Sequence, residues 1–256
     1  MILFELSDGL ALVRLNRPEK MNALSRAMLD ELSEAFNRIE REEDVRAVLL
    51  TSANDRAFCA GTDIVELAGL DEDGARRAAE RGQEICARIE HCRVPVIAAI
   101  NGVAVGGGLE LALACHLRVA STSAQFSLPE TKLGIIPAYG GTQRLARIVG
   151  KGRALGMMLA GEVVSAEEAY AMGLVNRVTS PTQLFSEAEA LARAIMALAP
   201  LAIRACLRAV TRGLELPLEE GLALEAELFS SLFSTEDMRE GTSAFLEKRA
   251  PIFRGK

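Results

Sequence analysis

Apolar and polar residues alternate over residues 3–15 around Asp8-Gly9, the pattern of a β-hairpin closed by a tight turn. From Met28 to Arg41 the period changes. Met28, Leu29, Leu32, Phe36 and Ile39 recur at helical spacing with charged residues between them, which predicts an amphipathic helix. Val45 to Thr51 is a short β-branched and leucine run, read as a buried strand. Gly74 to His91 is charged, with Ile85 and Ile89 on one face, and predicts a second helix. Pro95 to Ile100 reads as a strand, Asn101-Gly102 as a turn, Leu109 to Cys115 as a buried helix and Leu117 to Ala120 as a further strand. Strands alternating with helices argue for an α/β sheet joined by crossover helices.

The last third reads differently. Gly141 to Val149 and Gly152 to Ala160 predict short helices. Ser165-Ala-Glu-Glu168 has the form of a capping box, opening a helix that stops at Gly173, with a short strand over Leu174 to Val178. Helices are then expected over Thr182–Ala199, Leu201–Arg212, Leu218–Phe233 and Glu236–Arg249. The expected organisation is an α/β core over residues 1–195 and a helical C-terminal portion over 196–256. Leu222, Leu224, Leu228, Phe229, Leu232, Phe233, Phe245 and Leu246 make that portion apolar in places. Two packings remain open for it: against its own core, or against a neighbouring subunit.

Composition narrows the possibilities. Of 256 residues half are apolar and a quarter charged, enough to bury one large core. The formal charge of -6, without any lysine- or arginine-rich run, disfavours nucleic acid and anionic membrane surfaces as partners. Five cysteines at 59, 86, 92, 115 and 206, with no Cys-x-x-Cys, read as reduced thiols and a cytoplasmic location. The two histidines, His91 and His116, form no metal-ligand spacing, so no metal is expected. The N-terminus lacks the basic and apolar regions of a secretory signal. Val94 to Cys115 has the length of a membrane span, but Pro95, Asn101, four glycines and Glu110 break it into strand, turn and helix.

Three segments carry candidate chemistry. In Ala57-Phe-Cys-Ala-Gly-Thr-Asp-Ile64, Gly61 can adopt angles that aim the Thr62 N–H at a ligand; a plain turn is the alternative. In Gly106-Gly-Gly-Leu-Glu110, three glycines precede a helix whose first N–H groups are unpaired, a place suited to a developing oxyanion. Leu111 stands where a dinucleotide fingerprint needs glycine. Glu110 is the one charge in a run that should be buried. It is either a functional carboxylate or a structural one, capping the helix or pairing with an arginine. In the third segment, Phe126 to Gln143, Pro129 stiffens the chain before Glu130. A non-helical segment is expected there, and Glu130 taken alone is also compatible with a solvated loop residue. No Gly-x-Ser-x-Gly elbow supports hydrolase chemistry.

These segments, with Leu15-Asn-Arg-Pro18, Asn22-Ala-Leu24, Ile136-Pro137, Gly140-Gly-Thr-Gln-Arg-Leu145, Ala171-Met-Gly-Leu-Val175, Glu240-Gly241 and Ala244-Phe-Leu-Glu-Lys-Arg249, strongly resemble the crotonase superfamily, and within it the enoyl-CoA hydratases. The resemblance implies a spiral core of β-β-α turns with a helical C-terminal trimerisation region, assembled as a homotrimer or a dimer of trimers. It implies hydration of a 2-trans-enoyl-CoA to a 3-hydroxyacyl-CoA, as in β-oxidation of fatty acids, with no cofactor beyond the coenzyme A of the substrate. Glu110 would be closer to the base and Glu130 to the acid, with the N–H groups of Thr62 and Gly107 as an oxyanion hole. CoA and substrate contacts are expected at Lys20, Ala60, Asp63, Ile64, Ala138, Phe229, Phe245 and Lys248.

Thr62 stands where alanine or serine is common in the family, Ala138 where glycine is common, and Tyr139 adds bulk beside it. These departures bear on acyl preference. Within the superfamily, an enoyl-CoA isomerase or a methylglutaconyl-CoA-type hydratase is the alternative; isomerases commonly keep one carboxylate, and two are present here. A non-catalytic CoA- or RNA-binding paralogue is the alternative of another class. The helix at 28–41 argues against RNA, since it carries as many acids as bases or more.

Overall fold

The computed structural model describes all of residues 1–256. The hairpin forms as the alternation predicts: β1 (Ile2–Ser7) pairs antiparallel with β2 (Leu10–Leu15), with Ser7 opposite Leu10. Asp8 and Gly9 both take positive φ, 49° and 81°, as a two-residue hairpin turn requires. Helix α1 (Arg26–Arg41) starts where the Ser25 side chain accepts a hydrogen bond from the Met28 N–H, and it buries the five apolar residues named above.

A repeating path follows. Strand β3 (Ala47–Ser52) is followed by β4 (Ala57–Cys59) and helices α2 (Ile64–Leu67) and α3 (Glu72–Glu90). Strand β5 (Val96–Ile100) is followed by β6 (Val103–Val105) and helix α4 (Gly107–Ala114). Strand β7 (Leu117–Ser121) is followed by β8 (Gln125–Ser127) and a 3-10 turn over Glu130–Leu133. In each turn the first strand joins one sheet and the second strand joins another. The larger sheet has the order β1-β2-β3-β5-β7-β10, with β10 at Arg177–Thr179. The smaller has the order β4-β6-β8-β9, with β9 at Val164–Ser165. This is the β-β-α spiral that the motifs imply.

The large sheet is covered on both faces. Ala11, Val13, Val48, Leu50, Ala98 and Ile100 face the main core, which α1, α3 and α4 share. The alternate residues Leu10, Leu12, Leu49, Ile97 and Val119 meet Leu184, Ala188 and Ala192 of helix α8 (Leu184–Met196). Burial on both faces explains why β3 and β5 read as apolar runs, and why the alternation of the hairpin holds in β1 but lapses in β2.

The smaller sheet corrects two expectations. Ala57–Cys59 is a strand, not a simple turn, and residues 126–143 hold a strand end, a 3-10 turn and the start of helix α5 (Gly141–Val149). Two- and three-residue strands contain too few positions to show a period. Helix α6 (Lys151–Leu159) and helix α7 (Ala166–Ala171) lead to β10, which lies over 177–179 instead of 174–178. The capping box at α7 is complete, with Ser165 Oγ accepting from the Glu168 N–H and the Glu168 carboxylate accepting from the Ser165 N–H. Ser165→Ala removes one partner and is expected to cost about 1 kcal/mol. Thermal melting checks this, with an expected drop of roughly 2–4 °C for a chain of this size.

Helices α9 (Pro200–Gly213), α10 (Leu218–Leu232) and α11 (Glu236–Glu247) end the chain. Neither α9 nor α10 buries a single residue, so packing of the tail onto its own core, one of the two open readings, does not occur for this pair. Asp237 ties α11 to the C-terminal segment by accepting from the N–H groups of Arg254 (2.6 Å) and Gly255 (2.8 Å). No single helix is long and apolar enough to cross a membrane. Val94 to Cys115 resolves into β5, β6 and α4.

Candidate active site

The site lies where β6 passes directly into α4. Gly106 sits at that junction with φ 54°, its N–H donating to Ser127 O on β8 at 3.0 Å. Gly107 is the first residue of the helix, so its N–H has no carbonyl to pair with inside α4 and points off the positive end of the helix dipole. At Gly108 an added Cβ would overlap the Cys59 carbonyl, so α4 rests against β4 at backbone distance.

The 60–63 loop is fixed from the other side. Ala60 N–H donates to Met21 O (3.0 Å), Leu24 N–H to Gly61 O (2.7 Å) and Asp63 N–H to Leu24 O (3.0 Å). Buried Asn22, at φ 58°, donates to the carbonyls of Ala57 and Phe58, both at 3.1 Å. These bonds hold Gly61 at φ 97°, where an added Cβ would lie 2.9 Å from Val105 O and 3.4 Å from the Gly107 nitrogen. The Thr62 N–H has no partner within the chain. The N–H groups of Thr62 and Gly107 therefore belong to two rigid segments in contact.

Glu110 lies one turn into α4 and is 2 % exposed. It neither caps the helix nor pairs with an arginine. Its Oε1 accepts from the N–H groups of Tyr139 (2.8 Å) and Gly141 (2.6 Å). The 139–141 segment is anchored in turn by Arg144, which donates to Tyr139 O at 3.0 Å and pairs with Glu90 at 2.6 Å. Burial pushes the Glu110 carboxyl up to about 7; the Glu130 charge adds to the rise, while the two N–H donors and Arg144 oppose it.

Glu130 opens the 3-10 turn, which Thr131 ties to α6 through Met158 O at 2.7 Å. Its carboxylate turns inward. An added Cβ at Gly106 would lie 2.8 Å from Glu130 Oε1, and Oε2 is buried without a hydrogen-bond partner. Burial raises the Glu130 carboxyl above its usual value. Glu130 thus faces the β6–α4 junction at Gly106, from which Glu110 follows one turn into the helix, and it is not the solvated loop residue that its sequence alone resembles.

The expected CoA contacts are more scattered. Lys20 is exposed on a 3-10 turn that leads into the 21–24 loop. Ala60 is half-buried and Ile64 exposed, beside Thr62. The Asp63 side chain is committed elsewhere: it caps α2 through Val65 N–H and pairs with Arg17 at 2.7 Å, which holds its carboxyl below the usual range. Its backbone alone is left to meet a ligand. Ala138 is half-buried, its carbonyl accepting from Gln83 of α3 at 2.9 Å. Phe229, Phe245 and Lys248 are exposed on α10, α11 and the C-terminal cap of α11. Within one chain they are not brought to the carboxylates. No group of three or more His, Cys, Asp or Glu side chains is gathered as a metal site.

Sequence reasoning missed the clamp on Glu110, because backbone N–H groups have no residue signature. It also missed Arg144, although Gly140-Gly-Thr-Gln-Arg144 was among the family motifs. A surface hollow bordered by Asp8, Glu43, Asp44 and Arg46 lies at the hairpin end, and Leu6 is the one hydrophobic residue of its lining.

A family description, enoyl-CoA hydratase/isomerase, matches residues 5–256. The chain belongs to this family. It is 40 % identical over 248 residues to the short-chain-enoyl-CoA hydratase of Clostridium acetobutylicum, covering 97 % of this chain and 95 % of that protein. It is 39 % identical to the crotonyl-CoA hydratase of Syntrophomonas wolfei, covering 100 % and 98 %. The crystal structure of an enoyl-CoA hydratase from Bacillus anthracis superposes with a TM-score of 0.96 at 40 % identity, over 100 % of this chain and 99 % of that one. The fold is the crotonase fold.

Proposed function

We propose that the chain is an enoyl-CoA hydratase, reversibly adding water to a 2-trans-enoyl-CoA to give a 3-hydroxyacyl-CoA, with Glu110 and Glu130 as its catalytic pair. The carrying observation is the buried Glu110 carboxylate and the inward-turned Glu130 carboxylate beside two segments that offer free backbone N–H groups. The thioester oxygen accepts from Thr62 and Gly107. Ionised Glu110 takes a proton from water, and the hydroxide forms a bond to C3 as the C2–C3 π electrons move toward the thioester oxygen. C2 then takes a proton from Glu130. The two N–H groups are fixed before charge develops, so they stabilise the enolate-like transition state more than the substrate. Burial acts on both acids in the same direction: it raises the Glu130 carboxyl above its usual value and makes Glu110 a stronger base than a free carboxylate. Coenzyme A is part of the substrate, and no further cofactor is needed.

Two acids favour hydration over isomerisation, which needs only one proton-shuttling group. The test is loss of the enoyl absorbance of crotonyl-CoA on addition of the purified chain. No hydration of crotonyl-CoA, with isomerisation of a 3-enoyl-CoA instead, would overturn the reading. Because the base must be ionised, kcat/KM is expected to fall below a pH of about 7, the value to which Glu110 is raised. A flat profile from pH 5 to 8 would remove Glu110 as base.

The tail is proposed as a trimerisation region over residues 196–256, in a homotrimer or dimer of trimers, with Phe229, Phe245 and Lys248 reaching a neighbour's CoA. Its support is the exposure of Phe245 (83 %), Leu246 (79 %) and Phe229 (63 %) on helices that bury little of their own. Leu246→Glu is expected to shift the mass seen by light scattering toward the monomer. The four buried thiols and one exposed one, none in a disulfide, agree with a cytoplasmic enzyme, and β-oxidation is a process that consumes this substrate class.

A further inference from the structure

Tyr139 is 5 % exposed, and its ring bridges two helices. On one side it lies against α3, where a Cβ at Gly82 would overlap the ring. On the other it lies against the start of α4, where a Cβ at Gly107 would come within 3.1 Å of Tyr139 Cε2 and 3.1 Å of Thr62 Oγ1. The Thr62 side chain and the ring thus flank Gly107 together. Gly82 in mid-helix costs α3 about 1 kcal/mol relative to alanine, and the seated ring is what occupies the space that a methyl would take. The ring is also held at its root. Its N–H binds Glu110, its carbonyl binds Arg144, and the preceding carbonyl, Ala138, binds Gln83 of α3. Those bonds fix the backbone from which the ring projects, and its packing between Gly82 and Gly107 fixes the ring itself.

We propose that Tyr139, seated between Gly82 and Gly107, is the specificity-determining residue for acyl length, closing the site to all but short, unbranched 2-enoyl chains of about four carbons. This rests on the hydratase reading. An acyl chain whose carbonyl lies at the Thr62 and Gly107 N–H groups, and whose C2–C3 bond lies between the two glutamates, starts beside this ring. The side toward α3 is filled by a planar, anchored aromatic. Each further methylene has to displace the ring or turn back toward the charged pair, instead of gaining the burial that an open apolar channel would give.

The test is kcat/KM for 2-enoyl-CoAs of four, six, eight and ten carbons, in the wild type, Tyr139→Phe and Tyr139→Ala. The readout is the ratio between substrates within one protein, so a general loss of activity cancels. The wild type is expected to favour four carbons over ten by about 100-fold or more. Tyr139→Phe keeps that ratio, because it keeps the ring, and Tyr139→Ala lowers it at least tenfold. Calorimetric binding of butyryl-CoA and decanoyl-CoA, which needs no turnover, follows the same order and keeps the test open if Tyr139→Ala is inactive; Tyr139→Leu replaces it if Tyr139→Ala does not fold. A wild type that hydrates four- and ten-carbon substrates equally overturns this inference and leaves the hydratase reading intact, as does an unchanged ratio in Tyr139→Ala. A wild type without any enoyl-CoA hydration overturns the hydratase reading itself.

Discussion

Glu110→Gln and Glu130→Gln are each expected to lower kcat on crotonyl-CoA by roughly 100- to 10,000-fold, the usual contribution of a general acid or base. The two losses should not multiply in the double variant, because the acids act on one water in one step. Wild-type rates in either single variant would end the two-carboxylate mechanism. Glu110→Gln carries a second expectation of opposite sign. The Glu110 carboxyl rises from 4.5 to about 7 on folding, so between those values the native state holds a proton that the unfolded chain has released. Stability therefore falls as pH climbs from 4.5 to about 7 and stays low above it. At about 1.4 kcal/mol per pH unit, the burden above neutrality approaches roughly 3 kcal/mol. Glutamine avoids it while its carbonyl still accepts from Tyr139 and Gly141. The variant should be inactive but more resistant to urea at pH 8, with the difference fading toward pH 5. A destabilised Glu110→Gln would refute the burial argument.

Gly107→Pro is expected to lower kcat about 100- to 1,000-fold, as loss of one oxyanion donor does. Proline is tolerated at the first position of a helix, where the N–H has no partner within the helix. Its added carbons crowd Thr62 and Tyr139, so Gly107→Ala is the needed comparison: it adds the Cβ and keeps the N–H. The ratio of Pro to Ala isolates the donor. Equal rates in the two variants would mean that the Gly107 N–H is not used.

The fold was legible wherever an element is long enough to show a period. The hairpin at Asp8-Gly9, α1 and the capping box at Ser165 all stand where the pattern put them. The small sheet was not legible, since β4, β6, β8 and β9 have two or three residues each and are set by what they pair with. Of the site, Glu110 announced itself as a lone charge in an apolar run, whereas Glu130 needed the family motif to distinguish it from a surface loop residue. The clamp and the seat of Tyr139 on Gly82 were invisible. The first is made of main chain, and the second joins residues that come together only once α3 has packed beside the 137–141 segment.

The manner in which Glu110 is held has a consequence for descent. Its two partners are main-chain N–H groups, so a codon change at position 139 alters the side chain there and still supplies the same donor to Glu110. Proline is the one replacement that removes it. The side chain at 139 can thus drift through generations while the hold on Glu110 stays constant.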